Sequence, residues 1–107
     1  MKRILFVSGY GRARGPTASQ VFGELPYLST DFGGINPDAD DKITDDQIDW
    51  ATIIFAMEIR QQTALSTRFR KQIDGRQIIT LGIRDVYTFM QPRLIAELNA
   101  AVLPHLK

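Results

Sequence analysis

The chain has 107 residues, 44% of them hydrophobic, and a net charge of +1, which predicts one globular domain, residues 1–107, rather than a disordered chain. With no cysteine and a single histidine, the composition excludes disulfides and thiol catalysis, and we expect no metal site. No apolar run approaches the roughly 20 residues that span a bilayer, so we expect a soluble, cytoplasmic protein that does not contact membranes.

The first half of the chain predicts strands and helices in alternation. Residues 3–8 hold four consecutive large apolar residues that end at a Ser-Gly pair, which is typical of a buried strand. A helix follows, because apolar residues recur at helical spacing: Ala18, Val21, Phe22 and Leu25. Residues 28–33 predict a second strand. Thr44 and Gln47 then form the capping box of a short helix that runs through Trp50 and Ala51.

The second half continues this alternation. Residues 52–57 predict a third buried strand, and a polar helix should follow over about 58–70, with Gly75 breaking it. The last strand is expected at 77–83. A closing helix then begins at Pro92, since proline suits the first helical turn.

Alternating elements with continuously apolar strands predict an α/β fold, a small doubly wound four-stranded parallel sheet with helices on both faces. In such sheets ligands bind at the carboxyl ends of the strands, where the winding reverses. We therefore expect the functional site in the loop after the first strand.

Residues 8–14, which we call the anion loop, connect that strand to the first helix. Glycines in and after the loop allow backbone amides to turn inward, and these amides form a concave anion site with the helix N-terminus. Arg14 can offer two parallel N–H bonds to an oxyanion, while Arg12 either adds a second charge or points to solvent. The predicted phosphate-binding residues are Gly9, Tyr10, Gly11, Arg12, Ala13 and Arg14.

A dinucleotide site is an alternative interpretation of the same stretch. Gly9, Gly11 and Gly15 loosely match the glycine fingerprint of such sites, with Asp31 placed for a ribose hydroxyl. The arginines count against it, because that fingerprint binds phosphate through backbone rather than through charge.

The spacing of Ser8 and Arg14, with Gly15-Pro16 following, resembles the low-molecular-weight protein tyrosine phosphatases. Their loop reads Cys, five residues, Arg, then Ser or Thr and Pro, directly after a strand. The resemblance extends to residues 50–58 and to Arg84-Asp85-Val86-Tyr87, so it covers most of the chain. It implies a phosphotyrosine protein phosphatase I-like fold and a short, degenerate branch of the family.

The resemblance also implies roles for individual residues. Ser8 stands at the position of the nucleophilic cysteine, Arg14 at that of the phosphoryl-binding arginine, and Asp85 at that of the general acid. Tyr10 and Tyr87 would form the pocket wall. The differences from the family's pattern lie at its catalytic positions. Gly11 replaces the loop asparagine, and Gly15 replaces the residue whose hydroxyl bonds the thiolate. Arg84 and Val86 replace the prolines around the acid.

Serine at the nucleophile position changes what the loop can do. A hydroxyl needs an adjacent general base, and the only histidine, His105, lies in the last helical turn. We therefore expect a cofactor-free protein that binds phosphate, sulfate or a phosphorylated small molecule or protein, with lost or weak phosphatase activity. The alternative is a phosphomonoester or phosphotyrosine hydrolase, either active or inactivated by a cysteine-to-serine change.

Charge distribution leaves one further hypothesis open. Residues 38–49 carry six aspartates and one lysine, whereas residues 60–76 carry five basic side chains and one aspartate. These segments form either two solvated faces or, for the basic segment, a contact with nucleic acid or another acidic partner.

Overall fold

The computed structural model describes residues 2–106; Met1 and Lys107, the ends of the predicted domain, lie outside the described residues. Its four strands are β1 (Lys2–Ser8), β2 (Leu28–Gly34), β3 (Ile53–Ala56) and β4 (Gln77–Thr80). They form one parallel sheet in the order β2-β1-β3-β4. The helices are α1 (Arg14–Gly23), α2 (Asp45–Trp50), α3 (Ile59–Arg68), α4 (Arg70–Ile73) and α5 (Pro92–Val102), and a 3₁₀ helix follows at Leu103–Leu106. The predicted α/β fold is confirmed.

Strand β1 is the centre of the core, because it pairs with β2 on one side and β3 on the other. Successive side chains of a strand point to opposite faces of its sheet. Ile4 and Phe6 therefore enter one apolar cluster and Leu5 and Val7 the other, and all four side chains are fully buried. This explains why β1 has a continuous apolar run rather than an alternating pattern.

Helices cover both faces of the sheet, as predicted. Helices α1 and α5 pack on the Phe6 face through Phe22 and Leu98, among others, and α2 and α3 pack on the opposite face through Ile48 and Leu65. The ring of Phe6 is stacked between those of Phe22 and Phe55, with centroid distances of 5.8 and 5.6 Å.

The predicted helix starts at Thr44 and Pro92 are confirmed. The Gln47 amide donates to Thr44 Oγ1 over 3.2 Å, and the Thr44 amide donates to Gln47 Oε1 over 3.0 Å, which completes the capping box. Pro92 is the first residue of α5. Helix α1 differs, because its N-cap residue, Ala13, has no side-chain acceptor for the first amides.

Several predicted elements are shorter than expected, and two of them have an evident cause. The helix expected over 58–70 ends at Arg68, because Phe69 leaves helical geometry as its side chain enters the second cluster, and a single turn, α4, follows. The last strand, expected to reach Ile83, ends at Thr80, since its partner β3 ends at Ala56. The amides of Leu81 and Ile83 still donate to carbonyl groups at the exit of β3.

The strand order indicates which edge of the sheet is expected to bind a ligand. The chain runs from β1 to β2 on one side and then crosses to β3 on the other, so the winding reverses at β1. The carboxyl ends of β1 and β3 therefore flank a crevice in which such folds bind ligands. Within residues 2–106, no helix has the length and apolar character needed to cross a membrane.

The Phe6 stack provides a test of the core. We expect Phe6→Ala to lower the free energy of unfolding by about 3–5 kcal/mol, because it leaves a cavity between two aromatic rings. Urea denaturation measures this loss. Tyr27→Ala is the control, since Tyr27 is 51% exposed and its replacement should change stability by less than about 0.5 kcal/mol. Equal effects of the two variants would contradict the assigned core.

Candidate anion-binding site

The anion loop folds back over the end of β2. Gly11 has a φ of +71°, in the region that favours glycine, whereas Gly9 and Gly15 do not need positive φ. Gly34, the last residue of β2, lies so close to the loop that a Cβ there would be 2.7 Å from the Gly9 carbonyl oxygen. The Asn36 amide donates to that same oxygen over 2.9 Å. The path of the loop thus depends on a glycine outside it.

Most amides of the loop have no partner in the protein. Within residues 2–106, the amides of Gly9, Tyr10, Arg12 and Ala13 donate no hydrogen bond. The Gly11 amide is the exception, because it donates to Ser8 Oγ over 3.1 Å. Free amides beside an uncapped helix N-terminus are the arrangement expected of an anion site. The phosphate-binding role of these residues stays a prediction, and the Gly11 amide is already engaged by Ser8.

Ser8 is buried, with 2% of its surface exposed, and its hydroxyl oxygen holds the loop through Gly11. Among the described residues, no histidine or carboxylate forms a hydrogen bond with it. His105 lies instead against Phe55, with a centroid distance of 5.9 Å. A serine without a neighbouring base is a weak nucleophile.

Arg14 is the most enclosed charge of the site, with only 3% of its side chain exposed. Its Nη1 donates to Glu58 Oε1 over 2.6 Å and to the Ile83 carbonyl over 2.8 Å. Its Nε lies 3.7 Å from Asp85 Oδ1, and neither Nε nor Nη2 donates a hydrogen bond within residues 2–106. These two adjacent N–H groups form a fork with the geometry for two parallel hydrogen bonds to an oxyanion.

Glu58 accepts a hydrogen bond from Nη1 of Arg14 and so holds the guanidinium in place. The hydrogen bond from Arg14 lowers the pKa of the Glu58 carboxyl, and Arg60, 3.3 Å away, lowers it further. Glu58 is therefore a carboxylate at neutral pH. No role for Glu58 is predicted from the sequence, although its spacing to Gln61 is that of a capping box and could have marked the start of α3.

All the predicted site residues except Gly9 line one cavity of about 310 Å³, the Ser8 cavity. It is lined by Ser8, Tyr10, Gly11, Arg12, Ala13, Arg14, Asp85 and Tyr87. Asp85 comes from the loop after β4 and is 55% exposed in its side chain. A hydrogen bond to Glu97 raises the pKa of the Tyr87 hydroxyl. The structure therefore brings together the predicted nucleophile, acid, arginine and tyrosine positions.

Arg12 lies at the rim of the Ser8 cavity. Its Nε forms an ion pair with Asp40 over 3.1 Å, and its guanidinium lies 4.9 Å from the centroid of the Tyr10 ring. The pairing raises the Arg12 pKa. Both partners are mostly exposed, so this pair contributes little to stability.

The residues on which the dinucleotide and nucleic-acid hypotheses depend form hydrogen bonds within the fold. The Asp31 carboxylate accepts hydrogen bonds from the Phe32 amide and from Gln47 Nε2, away from the anion loop. In the basic segment, Arg68 donates to the Ile35 carbonyl, and Arg76 donates to the Ala51 carbonyl over 2.8 Å. Both arginines brace the fold, which weakens the argument for a nucleic-acid surface.

Comparisons with known proteins bear on the fold. The sequence matches no protein-family model and no curated protein, whereas several solved structures match. YwlE arginine phosphatase from Geobacillus stearothermophilus is 23% identical, with a TM-score of 0.66, over 94% of this chain and 83% of that one. The low-molecular-weight protein tyrosine phosphatase SP-PTP from Streptococcus pyogenes is 14% identical, with a TM-score of 0.72, over 94% and 85%.

A third similar structure is a mutant of YwlE arginine phosphatase that has a phosphorylated active-site serine. It is 16% identical, with a TM-score of 0.71, over 98% of this chain and 96% of that one. At these identities the matches establish architecture alone. The chain thus has the fold of the low-molecular-weight phosphatases.

Proposed function

We propose that the anion loop binds phosphate and phosphorylated ligands, and that phosphatase activity is lost or weak because Ser8 occupies the nucleophile position. One observation carries this proposal. Arg14 is buried, its Nη1 is bound by Glu58 and Ile83, and its Nε and Nη2 have no hydrogen-bond partner within residues 2–106. A guanidinium held in this way is prepared for a tetrahedral oxyanion, which phosphate, sulfate and phosphoryl groups all supply.

The electrostatics of the site favour an anion over a neutral ligand. Glu58 balances the charge of Arg14, so attraction for a ligand comes chiefly from the fork of N–H groups, the free loop amides and the N-terminus of α1. Asp85 opposes a dianion, because its carboxylate lies near Arg14 Nε. Since its side chain is largely exposed, it can rotate aside.

The chemistry at Ser8 limits turnover. A cysteine thiol has a pKa of about 8.5, within reach of the field of a helix terminus and an arginine, whereas a hydroxyl starts near the value of water, about 15.7. In the similar arginine phosphatase mutant, a serine at the active site carries a phosphoryl group. This supports a second candidate function, in which the Ser8 oxygen displaces the alcohol of a phosphomonoester, which leaves with the hydroxyl proton, and water then hydrolyses the phosphoserine slowly to phosphate.

Gly15 leaves the site without a second catalytic group, the hydroxyl that the family has after the arginine. A Cβ built on Gly15 would lie 3.4 Å from Ser8 Oγ, so a hydroxyl at this position could donate a hydrogen bond to the attacking atom. Such a bond stabilises a thiolate. We infer that the site lacks both an ionisable nucleophile and the donor that would stabilise it.

Phosphate binding tests the main proposal. We expect a titration of the ¹⁵N-labelled protein with inorganic phosphate to shift the amide resonances of residues 9–14. Arg14→Lys should weaken binding by at least about tenfold, because an ammonium group cannot form two parallel N–H bonds. Arg70→Lys is the matched control, since Arg70 is exposed on α4 and should leave the affinity unchanged. Equal affinities of the two variants would contradict the role of Arg14.

Hydrolysis of an aryl phosphate tests whether Ser8 is the cause of the weak phosphatase activity. The unmodified protein should show little turnover, whereas Ser8→Cys should be faster by at least about 100-fold, because a thiolate forms near neutral pH. Adding Gly15→Ser to that variant should raise the rate about tenfold more, through a hydrogen bond to the thiolate. An unmodified protein as fast as Ser8→Cys would show that serine is a competent nucleophile here.

The Glu58 ion pair predicts a pH dependence of stability. The Glu58 pKa is lower in the folded chain than its ordinary value of 4.5. Glu58 therefore stabilises the fold above about pH 4.5, and this contribution is lost as pH falls through the lowered value. Urea denaturation should show Glu58→Gln less stable than the unmodified protein at pH 7, with the difference shrinking towards pH 3. Glu24→Gln, at an exposed position, should show no such trend. A difference that is constant with pH would rule out the charged pair as its source.

A further inference from the structure

A second cavity of about 200 Å³, the Gln61 cavity, adjoins the Ser8 cavity. Both are lined by Tyr10, Arg14 and Asp85, so a single ligand could occupy both. The far side of the Gln61 cavity is lined by residues outside the anion loop, among them Asn36, Arg60, Gln61 and Ala64. The proposed phosphate binding gives these residues no role.

Gln61 has an unpartnered donor at this cavity. Its side chain is 97% buried, since only 3% is exposed, and its Oε1 accepts a hydrogen bond from the Glu58 amide over 2.7 Å. That bond fixes the orientation of the carboxamide, so the opposite atom is Nε2. Within residues 2–106, Nε2 donates no hydrogen bond, and it lies 3.9 Å from the position of a Cβ on Gly9. No side-chain nitrogen or oxygen of the described residues is both buried and without a hydrogen-bond partner, so Nε2 is accessible from the cavity and free to donate to a ligand oxygen.

Asn36 and Arg60 add donors beside Gln61. Asn36 Nδ2 lies 3.2 Å from the same Cβ position on Gly9, and the Asn36 side chain has no hydrogen-bond partner in the described part of the chain. Arg60 Nη2 contacts Glu58 Oε1 over 3.3 Å, which leaves the rest of its guanidinium free, and its side chain is 76% exposed. Donors from two separate segments therefore converge next to Gly9.

The charges around this cavity indicate what it would bind. Arg14 and Arg60 both contact Glu58, and Asp85 supplies a second negative charge, so the protein groups are balanced. The cluster is rich in N–H donors, and the largely free guanidinium of Arg60 supplies a cation separate from Arg14, the proposed phosphoryl ligand. A carboxylate fits this description, because it is a monoanion with two acceptor oxygens in one plane.

We propose that the Gln61 cavity is a subsite for a carboxylate, and that the ligands of this protein are small phosphorylated carboxylic acids. The phosphoryl group occupies the anion loop, and the carboxylate accepts hydrogen bonds from Gln61 Nε2, Asn36 Nδ2 and the Arg60 guanidinium. This assignment rests on the proposed phosphate binding and narrows it to a ligand class.

Calorimetric titrations with a matched pair of ligands test the subsite. Glycerol 3-phosphate and 3-phosphoglycerate differ only in having a hydroxymethyl group or a carboxylate at the end remote from phosphorus. We expect the unmodified protein to bind 3-phosphoglycerate about tenfold more tightly, and inorganic phosphate serves as the reference for the loop itself.

Two variants assign the preference to residues. Arg60→Gln removes the cation, and Gln61→Glu replaces the free donor by a negative oxygen while keeping an acceptor for the Glu58 amide. Each should reduce the preference to about twofold or less, and the affinity of the same variant for inorganic phosphate corrects for any effect on the loop itself. Arg70→Gln, on the neighbouring helix, should preserve it.

The possible failures are distinguishable. If inorganic phosphate binds but the two esters bind equally, or if the preference survives in both variants, the subsite is refuted and the phosphate loop stands. If inorganic phosphate itself does not bind, the proposed function and the subsite are both refuted.

Discussion

The site depends on one partly buried ion pair, between Arg14 and Glu58. Arg14 opens the helix after β1, Glu58 follows β3, and the carbonyl of Ile83 after β4 accepts from the same Nη1. One guanidinium thus joins the segments that leave three parallel strands at a shared edge. Removing one partner of a buried pair typically costs about 3–5 kcal/mol, because the other charge is left without compensation. Local geometry and global stability are therefore coupled at this point.

Because of this pair, the site can bind an oxyanion without catalysing a reaction. Holding Nη1 leaves Nε and Nη2 as a fork, which is sufficient to bind an oxyanion without any reaction. Catalysis needs in addition a nucleophile that ionises in this field. The gap between a thiol and a hydroxyl is about 7 pKa units, or about 10 kcal/mol, more than a helix terminus and one arginine supply. Ser8 instead accepts a hydrogen bond from Gly11 and stabilises the loop. A scaffold of this kind can retain recognition after its chemistry is lost.

Features encoded by neighbouring residues were predictable from the sequence. The apolar run of β1, the stripe of α1, the Thr44 capping box and the start of α5 at Pro92 are all local patterns, and the structure contains each of them. The position of Arg14 beside the loop amides also follows from local spacing. The strand predicted over 28–33 is present and ends at Gly34, but only the structure reveals that Gly34 makes room for the Gly9 carbonyl.

Contacts between distant residues were not predictable in this way. Glu58 lies 44 positions from Arg14, and the convergence of Asn36 and Gln61 on Gly9 depends on crossovers that periodicity does not encode. The break at Phe69 has the same origin, because burial of that ring in the second cluster overrides the helical preference of its neighbours. Sequence patterns thus located the loop, whereas tertiary packing determines which donors remain free for a ligand.

A structure from crystals grown in sulfate or phosphate tests most directly the claim that the anion loop and Arg14 bind an oxyanion. We predict a tetrahedral anion in the loop, with its oxygens about 2.7–3.1 Å from the free loop amides and from Nε and Nη2 of Arg14, while Nη1 remains on Glu58. An empty loop in a crystal that binds the anion elsewhere would contradict the claim, as would an Arg14 whose Nε and Nη2 are both bound by protein groups.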